Sequence, residues 1–381
     1  MPRPMDIPFN KPHFTGREAL YISESAITGK IAGNGPFTRR CQTFFEEKYG
    51  ITKTLLTTSC SDALEMAALL LDIAPGDEVI IPSFTFVSTA NAFALRGARI
   101  VFVDSNTENP NVDVSLIESL ITAKTRAIVV VHYGGIACDM EGIMQIAGKY
   151  GIPVVEDAAQ CIDAFYRDQP LGSIGIMGTL SFHETKNITC GEGGMLMVND
   201  ASLVHKAETA WEKGTNRAAF VRGDVEKYEW VALGSSYLPN ELTAAFLYGQ
   251  LENAENIRKD RTKTFYKYFD ALTPLEQSGF IGLPVVPEYA VPNGHMFYIT
   301  TRNTEERNKL LQHLQDRGVQ AVFHYLSLHR SPYFQNKHDG RQLPQADRYA
   351  DTLLRLPFYY GLQQEEIDYI AAMIAQFFKN H

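Results

Sequence analysis

Short apolar, β-branched runs alternate with helical spacing through the first two-thirds of the chain. VIIPSF (79–84), IVFVD (100–104), AIVVVHY (127–133), PVVEDAAQ (153–160), TLSFHE (179–184) and MLMVN (195–199) each predict a strand. Between them, DALEMAALLL (62–71), VSLIESLI (114–121) and MEGIMQIAGKY (140–150) carry the repeat of amphipathic helices. Strands apolar on both faces and joined by helices imply a mostly parallel sheet covered on both sides, an α/β fold. From Asn240 the texture changes. ELTAAFLYGQLENAENIRKDRTKTFYKYFDAL keeps helical spacing throughout and predicts one helix long enough to bridge two domains. Beyond it, FIGLPVVPEYAVPNGHMFYIT and GVQAVFHY predict strands, with TEERNKLLQHLQDRG a helix between them. The expected organisation is a large α/β domain over 1–250 and a smaller α+β domain over 251–381.

Composition narrows the class. A chain of 381 residues, 45% hydrophobic and 21% charged, is ordinary globular protein with room for a large core. Its net charge of -9 leaves no basic excess to displace counterions from nucleic acid. The five cysteines are odd in number and lack a C-x-x-C pair, which speaks for reduced thiols and against a zinc cage. The opening MPRPMDIPFNKP has no apolar core of signal-peptide length, and no run approaches a membrane span. The expectation is a cytoplasmic protein with no membrane and no nucleic-acid partner.

Common motifs fail on inspection. HETKN (183–187) begins like a zinc-protease helix but has Asn187 where the second histidine belongs. GEGG (191–194) matches neither the dinucleotide fingerprint nor a Walker A loop. What remains is a constellation at strand ends. TTSCSDAL (57–64) puts small hydroxyl residues before an apolar helix, where free N–H groups make a phosphate site; Ser59 or Ser61 serves equally as an ordinary N-cap. Asp157 follows an apolar strand, placed for a ligand or for a helix cap. Lys186 sits in a short loop before the glycine-rich turn, as a reactive amine or a solvated charge. Phe86, in PSFTFVSTAN, offers a flat apolar face near the same edge or a core side chain.

These segments, with VHYGG (132–135 and its preceding valine), GEGGM and GSSYLPNELTAA, resemble the fold type I pyridoxal-phosphate aminotransferases of the DegT/DnrJ/EryC1/StrS family. The resemblance runs from IPFNKP near the start to YLSLH in the C-terminal part. It implies a seven-stranded, mostly parallel sheet with a small α+β C-terminal domain. It also implies pyridoxal 5'-phosphate held as a Schiff base on Lys186, with pyridoxamine phosphate as intermediate. Lys186 would shuttle the proton, Asp157 would pair with the pyridine nitrogen, Gln160 would reach the ring hydroxyl, and Phe86 would stack on the ring. Cys60, Ser61, Asp62 and Ser181 would hold the phosphate. Ser236 stands where many members have an asparagine that reaches the neighbouring subunit's cofactor, so a homodimer with shared sites is implied. Retention of Lys186 speaks against the family's dehydratases, which carry histidine there.

FTRRCQ, HETKN, EKGTNR, GSSYL and AVFHYLSLH further resemble a branch that makes dTDP-4-amino-4,6-dideoxygalactose for enterobacterial common antigen. The implied substrates are dTDP-4-keto-6-deoxy-glucose and L-glutamate; the alternative is amination at C3, or of another keto-sugar or cyclitol. For the nucleotide sugar, EKGTNRAAFVRGDVEKYEW (212–230) concentrates Lys213, Arg217, Arg222 and Lys227 beside Phe220, Tyr228 and Trp230. Arg39 and Arg40 are further basic candidates, and His324, Tyr325 and His329 are candidates for the sugar pocket. A cofactor-binding regulator is a different class of reading, but no basic DNA-binding appendage is evident.

Overall fold

The computed structural model describes residues 5–379, so Met1–Pro4 of the opening stretch and the last two residues lie outside the description. Its centre is a seven-stranded sheet. The strands are β1 (Lys53–Thr57), β2 (Glu78–Pro82), β3 (Arg99–Val103), β4 (Thr125–Val131), β5 (Val154–Asp157), β8 (Met177–Ser181) and β9 (Gly194–Val198). The small pairs β6 (Phe165–Tyr166) and β7 (Gln169–Pro170) lie beside the sheet and join β10 (Ala290–Val291). The order is β1-β9-β8-β5-β4-β2-β3. Only β9 runs against the other six, because β1 and β8 both pair with it antiparallel while the remaining pairings are parallel.

Alternation along the strands builds two cores. Ile80, Val101, Ile128, Val130 and Val154 face one apolar layer with Ile143 and Leu247; Val79, Ile81, Phe102, Val129 and Val155 face the other with Leu64 and Phe93. Both faces are therefore covered, as continuous apolar strands require. The strand expected at 153–160 ends at Asp157, and the six expected strands are all present. β1 is a seventh, in KTLLT.

The expected single long helix after Asn240 is instead two, Glu241–Leu251 and Ala254–Gln277. The chain breaks at Asn253, whose backbone leaves helical geometry; the second piece begins in the core it shares with the first, at Ala254 and Ile257, and continues into another core at Phe265, Tyr268 and Leu272. The first packs on helices Glu18–Ile27 and Pro36–Tyr49, the second on Gln364–Lys379. Glu241 is fully buried and accepts the N–H groups of Gly35, Phe37 and Thr38, at 2.9, 2.7 and 3.0 Å. It thus satisfies the otherwise orphaned donors of the Pro36–Tyr49 helix.

A third core gathers around a small antiparallel sheet of β11 (Tyr298–Thr300), β13 (Leu353–Arg355) and β12 (Val322–Phe323), in that order. Of FIGLPVVPEYAVPNGHMFYIT, only Ala290–Val291 and Tyr298–Thr300 are strand, and the central strand, β13, lies in a segment with no strand expectation. Ile7 joins this core, its N–H bonding Gly318 at 2.7 Å, and Phe9 accepts from the N–H of Phe358 at 3.1 Å. Among the described residues no helix is long and apolar enough to cross a membrane.

Candidate active site

With six strands aligned, the loops leaving their carboxyl ends converge on one edge, where ligands bind in open α/β sheets. They bound a cavity of about 520 Å3. Cys60, Ser61, Phe86, Asp157, Gln160, Ser181, Lys186, His324 and Tyr325 all line it.

At the β1 end the N-cap question resolves in favour of Ser59. Its hydroxyl accepts from the N–H of Asp62 at 3.1 Å. That leaves Ser61 directed into the cavity, with its hydroxyl 2.7 Å from that of Ser88. The first turn of the Cys60–Leu70 helix keeps unpaired N–H groups there, suited to an anion. β9 comes close enough to this turn that only glycine fits at Gly194: a Cβ would lie 2.3 Å from the Cys60 nitrogen. Asp62 is outside the cavity lining, its carboxylate bonded to the Thr58 hydroxyl.

Asp157 ends β5 and is buried. Its Oδ2 accepts from the Thr89 hydroxyl at 2.7 Å and Oδ1 from the Ala159 N–H at 3.1 Å. Burial raises its carboxyl above the ordinary range, while those two hydrogen bonds and Lys186 pull the other way. Gln160 Oε1 accepts from the Gly134 N–H at 2.6 Å, and its amide donates to Tyr325 Oη at 3.2 Å. Phe86 caps the Val87–Ala94 helix and is 55% exposed, with its ring 5.9 Å from that of Tyr325. It is a wall of the cavity and not a core residue.

Lys186 is half-buried in the loop after β8. Its Nζ has no hydrogen-bond or ion-pair partner among the described residues. Burial lowers its ammonium below the ordinary lysine value; the Cys60 thiol opposes this and the Arg355 guanidinium adds to it. The donor set matches a phosphorylated pyridine aldehyde: an unpaired amine, a buried carboxylate, an aromatic face, and a helix N-terminus with serine hydroxyls.

Four contributors escaped the sequence. Thr89 orients Asp157, Ser88 extends the hydroxyl cluster, and His295 and Arg355 line the cavity. Thr89 lies one helical turn after Phe86, a spacing that was available; nothing in LLRLPF marks Arg355. We expect Thr89→Val to weaken cofactor affinity about tenfold, the worth of one hydrogen bond to a charged group. Losing that donor raises the Asp157 pKa further, so affinity should start to fall at a higher pH as the solution is acidified. Titrating apoprotein with cofactor across pH checks both effects; an unshifted profile would assign Thr89 to scaffolding.

His329 is buried outside the cavity, its Nδ1 2.7 Å from the Ser83 hydroxyl and its Nε2 3.6 Å from Asp347. The basic segment stands away from its own chain's cavity. Arg217 pairs with Glu212 at 3.1 Å, Arg222 with Glu208 at 2.8 Å, Lys227 is exposed, and Trp230 is 76% exposed. Ser236 is exposed at the base of this loop, bridged to Glu212. The base is pinched where Gly214 meets Gly234; a Cβ on Gly234 would lie 2.2 Å from the Gly214 nitrogen. Arg39 and Arg40 are exposed near Asn34 and Glu24, outside the cavity lining.

Comparison with known proteins agrees with this geometry. The model of the DegT/DnrJ/EryC1/StrS aminotransferase family matches residues 13–375. The aminotransferase TlmJ from Streptoalloteichus hindustanus superposes with a TM-score of 0.90 at 27% identity, covering 99% of this chain and 100% of that one. An aminotransferase from Psychrobacter cryohalolentis gives 0.91 at 28% identity, over 98% and 99% of the two chains. DesV from S. venezuelae, solved with a ketimine intermediate, gives 0.89 at 28% identity, over 98% of each.

Proposed function

The chain belongs to the DegT/DnrJ/EryC1/StrS aminotransferase family and is a pyridoxal-phosphate-dependent sugar aminotransferase, and we propose that its acceptor is a nucleotide-linked 4-keto-6-deoxy sugar, dTDP-4-keto-6-deoxy-D-glucose. L-Glutamate is the donor; the products are dTDP-4-amino-4,6-dideoxy-D-galactose, a building block of cell-surface polysaccharide, and 2-oxoglutarate. The observation that carries the chemistry is the unpaired Lys186 amine in one cavity with the buried Asp157 carboxylate. The choice of sugar rests on the local motifs around 37–42, 183–187, 212–217, 234–238 and 321–329.

Bound pyridoxal phosphate supplies the electron sink for the carbon that bears the transferred nitrogen. Lys186 would hold it covalently through Nζ. The same amine, once free, would take the proton from the donor's Cα, a task that its lowered pKa suits. Asp157 keeps a proton on the pyridine nitrogen through a charge-assisted hydrogen bond. Gln160 and Phe86 would hold the ring, and Ser61, Ser88 and Ser181 with the helix N-terminus would hold the phosphate. The donor leaves as its oxo-acid, and the keto-sugar enters the same cavity to run these roles in reverse.

The working unit is a homodimer. An exposed loop carrying Trp230, Arg217 and Lys227, with Ser236 at its base, suits delivery to a second subunit's site, where cations would meet the sugar's diphosphate. The test is a panel of dTDP- and UDP-linked keto-sugars and cyclitols with 15N-labelled glutamate. Label at C4 of the dTDP-4-keto sugar is expected. Label at C3, or turnover of a cyclitol alone, would replace this reading with the alternative.

A further inference from the structure

Behind the cavity wall lies a buried polar cluster that the mechanism does not use. Ser83 directly follows β2 and is fully buried, as is most of His329. The Ser83 hydroxyl lies 2.7 Å from His329 Nδ1 and accepts the His329 backbone N–H at 3.3 Å. The Ser83 carbonyl accepts the Leu328 N–H at 2.9 Å. That hydroxyl has no other partner among the described residues, so its proton goes to Nδ1, which must be bare. The ring proton is then on Nε2, 3.6 Å from Asp347 Oδ1, a buried oxygen with no hydrogen bond of its own. His329 is therefore neutral. Burial holds its pKa below the ordinary histidine value; Asp347 and Asp104 oppose this, while His338 and Arg330 add to it.

These bonds fasten the segment 324–330 to the end of β2, and both chains run on from the junction into the cavity. Tyr325, shortly before His329, lines it, as does Phe86, shortly after Ser83. Between them Phe84 packs its ring 5.9 Å from that of Tyr325. Tyr325 Oη accepts one N–H of the Gln160 amide at 3.2 Å, and Gln160 Oε1 is taken by the Gly134 N–H. The second amide N–H is thereby left for the cofactor's ring oxygen. We propose that the Ser83–His329 pair is a positioning latch, which holds Tyr325 where its hydroxyl aims the Gln160 amide at the cofactor, and so sets cofactor affinity from outside the cavity. This rests on the role given to Gln160 above. Burying a hydroxyl, an imidazole and a carboxylate oxygen costs stability that apolar side chains at the same places would not. What the hydrogen bonds add is a fixed separation between segment and strand, which apolar packing specifies less sharply.

Apoproteins of wild type, S83A, H329N and H329L test this by titration with pyridoxal phosphate, with the visible circular dichroism of the bound cofactor recorded. H329N keeps an acceptor oxygen close to the place of Nδ1, so its affinity should stay within about twofold of wild type. H329L has the same size without the acceptor. It and S83A should bind about five- to tenfold more weakly, the worth of one hydrogen bond, with a weakened dichroic band. In a Y325F background the S83A loss should shrink to under about twofold, because the hydroxyl it positions is gone. H329L against H329N decides the matter if S83A does not fold. H329L or S83A within about twofold of wild type, H329N no better than H329L, or a full S83A loss in Y325F would overturn the latch. Wild type that takes up no pyridoxal phosphate would instead overturn the cofactor reading it rests on.

Discussion

Lys186→Ala is expected to fold normally and to turn over on the order of 10^4-fold more slowly, or not at all. The fold should survive because the Nζ it removes has no hydrogen-bond or ion-pair partner among the described residues, while the backbone N–H still bonds the His183 carbonyl at 2.9 Å. The activity should not, because in the proposed mechanism the same atom both carries the cofactor and moves the proton. Borohydride reduction separates these effects. Wild type should retain the cofactor's mass covalently after reduction and unfolding, and the variant should not. Full turnover, or covalent retention in the variant, would move both roles to another amine. The pH dependence follows from the same environment. Only the neutral amine accepts a proton, and burial with Arg355 nearby lowers the pKa, so the rate should rise with pH and level off below the range of an exposed lysine.

Asp157→Asn should cost about 10^2- to 10^3-fold in kcat, the scale of removing one preorganised electrostatic partner. The amide keeps the shape and can still accept from the Ala159 N–H, but it cannot hold a proton on the pyridine ring. Stability should go the other way. Burial raises the carboxyl's pKa in the folded state above its unfolded value, so this group's favourable contribution belongs to low pH and is lost as pH rises through the folded value. Above that value the ionised side chain is a cost to the apoprotein, and there the apo variant should melt at or above wild type. A variant that is both active and less stable would make Asp157 a structural residue. This pairing of a destabilising charge with an essential role is what distinguishes a site from a scaffold.

The parts of the molecule legible in sequence are those whose cause is local. The six strands from VIIPSF to MLMVN announce themselves because both faces are apolar, and MEGIMQIAGKY shows its helix because Asp139 caps it and Gly151 ends it. KTLLT did not, since β1 owes its strand to pairing with Gly194–Val198, far along the chain. LLR was silent for the same reason: β13 exists by lying between β11 and β12. The break at Asn253 is hidden because helical spacing continues through it, and only beyond Ile257 does the second helix leave the core it shares with the first. In the site, Lys186, Asp157 and Phe86 carried motifs, and the cavity gathers them. Thr89 and Arg355 did not, because their roles depend on what the fold sets beside them. His329 lies close in sequence to the cavity residues His324 and Tyr325, yet its side chain turns toward Ser83 and Asp347.

The long-range ties also bear on how the chain is made. Beyond the contacts of the Pro36–Tyr49 helix with β1, residues 5–57 find important partners far along the chain. The helix Pro36–Tyr49 is capped by a carboxylate 204 residues downstream, and Ile7 pairs with the segment around Val319. At a synthesis rate of about 5–20 residues per second, the N-terminal segment would wait some tens of seconds for those partners to emerge. During that interval Phe37, Phe45 and Leu56, all buried in the finished protein, are in water. Expression should accordingly be sensitive to temperature and to the supply of holdase chaperones, even where the completed enzyme is stable.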